Sequence, residues 1–164
     1  MNVIIVGCGR VGAELARILD IDGHEVTVID QESDAFNRLA EGLSVKTMVG
    51  DGTDMETLVR AGIKEANAFA AVTNGDNRNI MAAQIAQRMF NVPNVVCRIY
   101  DPLRQQTYKA LGVRSISPTI VGAKLLRNDL LGADGRVVSP DRAIAAGDAV
   151  PVRNPQQGAA QQPN

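Results

Sequence analysis

The residues whose types and spacing bear most directly on chemistry are three glycines, Gly7, Gly9 and Gly12, in Val6-Gly7-Cys8-Gly9-Arg10-Val11-Gly12. They follow a short β-branched run, Val3–Val6, with the spacing G-x-G-x-x-G. Each has a mechanical use. Gly7 permits a tight turn out of a strand, Gly9 lets backbone N–H groups approach a pyrophosphate, and Gly12 lets the next helix pack closely on its strand. Phosphates then meet the positive end of that helix. A second run, Glu25–Ile29, ends in Asp30, eighteen residues after Gly12. An acid at about 20 residues is where a ribose hydroxyl is held; the plainer reading of Asp30 is a cap for the next helix. The chemistry indicated is the grip of an adenosine diphosphate group, with Cys8, Arg10 and Val11 completing the loop. Arg10 either leans over the phosphates or faces solvent.

Such a loop needs a sheet whose strand ends align. Apolar runs recur at Val3–Val6, Glu25–Ile29, Val45–Val49, Ala68–Val72, Asn94–Arg98 and Val113–Ile116. Helical patterns separate them at Val11–Leu19, Ser33–Glu41, Asp54–Ala61, Asn77–Phe90 and Pro102–Leu111. This alternation predicts an α/β fold: a Rossmann-like, doubly wound sheet of six parallel strands with right-handed crossovers. Val11, Leu15, Ile18 and Leu19 share one side of the first helix, the pattern of a buried stripe. Asn77–Phe90 is apolar over a broad arc, which predicts burial on more than one side. Asp54 and Asp101 are predicted N-caps, Pro102 a first helical residue, and Gly62 and Gly112 helix-ending glycines.

A further helix is predicted near Thr119–Leu131, with more apolar residues than one narrow stripe. It either closes the end of the sheet or, the favoured reading, docks on another subunit. Residues 1–131 are thus read as one nucleotide-binding domain and 132–164 as a short, mostly irregular tail. Within that tail Arg136–Ser139 and Ala149–Val152 are candidate short strands, and Asn154–Asn164 has a disordered composition.

In open sheets of this kind the ligand lies beyond the carboxyl ends of the strands. The third strand delivers Gly50-Asp51-Gly52; Asp51 either meets an adenine amino group or orders its own turn. The fourth delivers Thr73 and Asn74, suited to ribose and phosphate or to a polar helix start. The fifth delivers Arg98, a cation leaving an apolar strand, which needs a phosphate or a carboxylate such as Asp101. Gln31 and Glu32 follow Asp30 with no arginine beside them for a 2′-phosphate. NAD or an adenosine nucleotide is therefore favoured over NADP. The same geometry counts against catalysis. The one histidine, His24, enters the second strand at the opposite edge, and neither Tyr100 nor Tyr108 has a lysine four residues on.

Composition fits a binding domain. The 164 residues are 45% hydrophobic and 21% charged, with a net charge of −1. No basic stripe stands out, so nucleic acid is not an expected partner. Aromatics at 3% and the absence of Trp remove the usual platform for stacking single strands. No run approaches a membrane span, and with Val3 already opening the first strand no signal peptide is expected. Cys8 and Cys97 make neither a disulfide framework nor a metal pattern; they read as small buried residues in a reducing compartment.

With these residues in place, the sequence resembles the nucleotide-binding domain of Trk/Ktr potassium-uptake regulatory proteins and of RCK (regulator of K⁺ conductance) domains. The resemblance is carried by the glycine loop, Gly23-His24-Glu25-Val26, Val28-Ile29-Asp30, Gly50-Asp51-Gly52, Thr73-Asn74-Gly75-Asp76-Asn77-Arg78-Asn79, Arg98-Ile99-Tyr100-Asp101-Pro102 and Ser117-Pro118, over about residues 1–131. It implies a cytoplasmic subunit, not an enzyme, peripheral at the inner face of the cell membrane. Such a subunit binds NAD(H) in the first instance, or ATP or ADP, and controls a membrane potassium transporter or channel subunit. Nucleotide contacts are implied at Gly7, Cys8, Gly9, Arg10, Val11, Asp30, Asp51, Thr73, Asn74 and Arg98, with assembly as a homodimer or larger ring. Relatives usually carry a second ligand-sensing lobe; the stretch ending near Gly147–Val152 looks like a shortened remnant of it. The acid that some relatives place after Ser-Pro for a cation is Thr119 here, so no metal site is implied. Two other readings stay open: a fragment of an NAD(P)-dependent oxidoreductase, and a stand-alone redox or energy sensor.

Overall fold

Parallel strands cannot be joined by tight hairpins, so each needs a crossover segment to return the chain to the same edge. The computed structural model describes residues 1–110 and 112–132 and shows a crossover between every successive pair of strands. The elements are β1 (Asn2–Val6), α1 (Arg10–Ile21), β2 (Glu25–Asp30), β3 (Lys46–Val49), α2 (Met55–Arg60), β4 (Ala68–Ala71), α3 (Asp76–Arg88), β5 (Asn94–Arg98), α4 (Pro102–Ala110), β6 (Ser115–Ile116) and α5 (Pro118–Leu131). All six strands run parallel in the order β3-β2-β1-β4-β5-β6, the Rossmann-like doubly wound arrangement. The chain divides into two units, Met1–Gly122 and Ala123–Asn164. The candidate strands Arg136–Ser139 and Ala149–Val152 and the stretch Asn154–Asn164 lie outside the described residues.

Two apolar clusters sandwich the sheet. One gathers Ile4, Val6, Ile29, Leu58, Ile63, Phe69 and the inner side of α3. The other gathers Val3, Ile5, Val26, Val28 and the inner side of α1. Alternate residues of β1 thus feed opposite layers, as strands covered on both faces must. The predicted caps are present: Asp54 accepts hydrogen bonds from the Glu56 and Thr57 amides, and Asp101 accepts one from the Leu103 amide at 2.9 Å. Gly62 and Gly112 have φ of +86° and +78°.

Three local expectations give way. The helix expected over Ser33–Glu41 is a 3₁₀ turn of six residues, Ser33–Arg38. Ser33, Asp34 and Asn37 carry short polar side chains that compete for the backbone and disfavour a longer α-helix. The stripe expected on α1 is turned: Val11 and Ile18 are 39% and 44% exposed, whereas Gly12, Ala13 and Ala16 are buried. Small residues let the helix axis approach the sheet, and the larger ones flank the contact. Asn79, Ile80, Ala82, Ala83 and Ala86 of α3 form one buried face. Met81 and Met89 of the predicted broad arc are exposed.

The tightest contact in this packing is at Gly12. A Cβ built there would fall 1.9 Å from the Gly7 carbonyl oxygen, which is backbone and has nowhere to go. Gly12→Ala is expected to cost roughly 3 kcal/mol, the upper end for overpacking, read as a lower urea midpoint at unchanged m-value. An unchanged midpoint would show that α1 is free to lift from β1.

Candidate functional site

Because all six strands run parallel, their carboxyl ends lie at the same edge of the sheet, and the loops leaving β1, β2, β3 and β4 meet there. They enclose a cavity of about 920 Å³. Gly7 leaves β1 with φ of +104°, and its amide donates to the Ile29 carbonyl at 2.7 Å. It lies so close to the start of the β4–α3 loop that a Cβ would sit 2.8 Å from the Thr73 nitrogen. Gly9 caps α1 without any side-chain hydrogen bond, and no acidic residue occupies the helix's first turn. Gly9, Arg10 and Val11 all line the cavity, so the uncapped positive end of α1 borders it.

Asp30 closes the other side of this corner. Its Oδ2 accepts from the Cys8 amide at 2.6 Å and its Oδ1 from the Glu32 amide at 3.1 Å. The carboxylate therefore faces the glycine loop. Cys8 lies beneath it, fully buried, and burial and then the Asp30 charge push its thiol pKa up, with Arg38 opposing. From β3, Gly52 lines the cavity; a Cβ at this residue would strike the Val6 side chain at 2.2 Å.

From β4 come Thr73 and Asn74. The polar atoms of Thr73 are already engaged: its amide and hydroxyl donate to Asn79 Oδ1 at 2.8 and 2.7 Å. Arg98, at the end of β5, donates from one terminal nitrogen to the Thr73 carbonyl at 2.5 Å. Its guanidinium lies 4.2 Å from the Tyr100 ring centre. No carboxylate stands within ion-pairing distance of Arg98 among the described residues, and its buried Nε has no partner. Asp101, one of the two partners expected for Arg98, is occupied as the cap of α4.

Ten of the twelve expected site residues thus meet at one cavity. Gly12 and Asp51 do not line it. Gly12 serves the helix contact. Asp51 accepts from the Thr53 amide and hydroxyl at 2.8 and 2.7 Å and from Gln31 Nε2 at 2.9 Å. The Thr53 hydrogen bonds hold its carboxyl below the usual range, and it orders its own turn, the second of the two readings for it.

Sequence reasoning passed over Gln31, Arg38, Arg78 and Tyr100, all on the cavity wall. Arg78, in the first turn of α3, reaches Gln31 at 3.4 Å; its place after β4 is a signal that the carboxyl-end rule could have found. Arg38 gave none, because only the 3₁₀ turn brings it back toward Asp30. The expectation that no arginine stands near Asp30 is corrected accordingly. Glu32 and Asp34 line the cavity as well, alongside Arg10, Arg38, Arg78 and Arg98.

Comparison with known proteins draws on this same region. The TrkA-N domain model matches residues 3–118. The chain belongs to the TrkA-N domain family. A Streptomyces coelicolor protein named Trk system potassium uptake protein TrkA is 49% identical over 117 residues, covering 71% of this chain and 52% of that protein. Among solved structures, the AMP-bound form of a Shewanella denitrificans Kef CTD superposes with a TM-score of 0.71 at 25% identity, covering 90% of this chain and 89% of the other. The GsuK RCK domain superposes at 0.66 and 27% identity, covering 77% and 27%. This TrkA-N chain spans about half the length of the curated relatives it matches. Among the described residues no helix is long and apolar enough to cross a membrane, and no three His, Cys, Asp or Glu side chains gather as a metal set.

Cys97, buried on β5, has its thiol pushed from 9.0 to about 11 by burial and then by the Asp76 charge. A thiol raised on folding keeps its proton in the folded state after the unfolded chain has lost it. Stability is therefore intact below pH 9.0 and falls as pH rises toward about 11. Urea midpoints measured across that window should fall less steeply for Cys97→Ala than for the parent; parallel curves would remove the thiol from the pH dependence.

Proposed function

We propose that this chain is a nucleotide-binding regulatory module of a potassium uptake system, taking NAD(H) in the first instance and ATP or ADP as the alternative. The reading rests on one arrangement above all. An uncapped helix start, the Asp30 carboxylate and an arginine with no carboxylate partner among the described residues border a single cavity. A diphosphate answers the first and third, and ribose hydroxyls answer the second. The contacts proposed are Gly7, Cys8, Gly9, Arg10, Val11, Gly52, Asn74 and Arg98 beside Asp30, with Thr73 contributing through its position. The AMP-bound Kef CTD, at a TM-score of 0.71, supports an adenosine ligand.

The Streptomyces relative, named for potassium uptake, supports a membrane potassium transporter or channel subunit as partner and a site of action at the inner face of the cell membrane. Val121, Leu125, Leu126 and Leu130 of α5 are exposed, which supports assembly of copies through this helix. Regulation then follows from differential affinity: two nucleotides that bind two arrangements of the assembly unequally shift their populations. Binding without chemistry suits the placement of His24, which enters β2 at the end of the sheet opposite the cavity.

Thermal unfolding followed with NADH, NAD, ATP and ADP tests the reading. Ligand at about 100 times its dissociation constant should add about 2.7 kcal/mol, and Asp30→Ala should lose most of that gain. If none of the four moves the midpoint, the proposal fails; if Asp30→Ala binds as the parent does, the carboxylate has no part in the site.

A further inference from the structure

Asn79 is a polar side chain with no exposure to solvent, on the buried face of α3. All of its hydrogen-bonding capacity is used. Its Oδ1 accepts from the Thr73 amide and hydroxyl, and its Nδ2 donates to the Thr73 carbonyl at 2.9 Å and to the Arg98 carbonyl at 3.0 Å. The two carbonyls on one side and the two donors on the other fix which end of the amide is oxygen. One side chain thus ties α3 to the ends of β4 and β5. The Thr73 carbonyl also accepts from the Arg98 guanidinium, closing a ring of three residues through Asn79, Thr73 and Arg98.

We infer that Asn79 is a positioning residue for the anion-facing half of the cavity, holding Thr73 and the end of β5 so that the Arg98 guanidinium stays on the cavity wall. The ring gives this content. Without the Asn79 amide, the Thr73 amide and the Arg98 carbonyl lose their partners, and the loop carrying the guanidinium's acceptor is released. Asp76, one turn earlier, accepts from the Tyr100 amide at 2.8 Å and lies 3.8 Å from Arg104. It thereby holds the backbone of the tyrosine on whose ring Arg98 stacks. Asn79 itself does not line the cavity, so its influence on a ligand passes through Arg98 and Thr73. The inference rests on the proposed nucleotide site and assigns the phosphate part of the ligand to this half of it.

The test compares ADP with adenosine by calorimetric titration of the full chain. For Asn79→Ala the ADP affinity should fall at least about tenfold, equivalent to about 1.4 kcal/mol, while adenosine affinity changes by less than about threefold. Combining it with Arg98→Ala should weaken ADP no further than Arg98→Ala alone, because both remove the same guanidinium contact. Ile63→Ala, in the turn at the opposite end of β4, should lower the melting temperature without changing the ratio of ADP to adenosine affinity. Should Asn79→Ala not fold, Asn79→Ser, which keeps a hydroxyl in the ring, is read in the same way. Equal loss of both ligands, or additive losses in the double variant, would overturn the inference and leave the nucleotide reading standing. A parent chain that binds neither ADP nor adenosine would overturn the inference, and one that also fails to bind NADH, NAD and ATP would overturn the nucleotide reading with it.

Discussion

The hydrogen bond from the Cys8 amide to Asp30, 2.6 Å long, is the contact on which the rest of the site depends. It joins a backbone donor in the glycine loop to a carboxylate on the neighbouring strand, and charge-assisted bonds of this kind are short and strong. The parallel register of β1 and β2 makes it available, since Val6 pairs with Ile29 and the next residues on each strand face one another across the sheet end. Two of the carboxylate's roughly four lone-pair sites are then used by Cys8 and Glu32, leaving capacity for further donors. These bonds hold the loop by contacts within the chain itself, so a ligand there would meet a lower ordering cost.

A second constraint works across the middle of the sheet. β1 lies between β2 and β4, so the strand order reverses beside β1 and the helices leave on opposite faces. The carboxyl ends of β1 and β4 are therefore the place where a crevice must open. Polar groups at that place cannot all be left to water. Asn79 satisfies the backbone of Thr73 and Arg98, and Tyr100 stacks on the Arg98 cation. The buried Nε of Arg98 is left over. A partly desolvated cation with no carboxylate to neutralise it among the described residues is costly in a stable domain, and that residual cost is what an anionic ligand would relieve.

The helix α1 shows how close approach is built and what it displaces. Gly12, Ala13 and Ala16 bring the helix down onto the sheet, and Val11, Ile18 and Ile21 are exposed as a result. Tightness at the glycine loop and apolar surface on the outside are two sides of one packing solution. Val121, Leu125, Leu126 and Leu130 of α5 are exposed too, and no residue of that helix is buried.

Much of this was legible in the sequence because it is local. The β1–glycine–α1 unit, the acid closing β2, the caps Asp54 and Asp101 and the six-strand alternation each depend on residues a few positions apart, where spacing maps directly onto geometry. Tertiary structure alone decided the rest. Arg78 meets Gln31 across 47 positions and Asn79 meets Arg98 across 19, separations that no periodicity encodes. Arg38 reaches the wall only because Ser33–Arg38 winds as a 3₁₀ turn. Which face of α1 and α3 is buried was likewise set by how near a helix can come to the sheet: small side chains win the contact even where larger apolar ones share the helix.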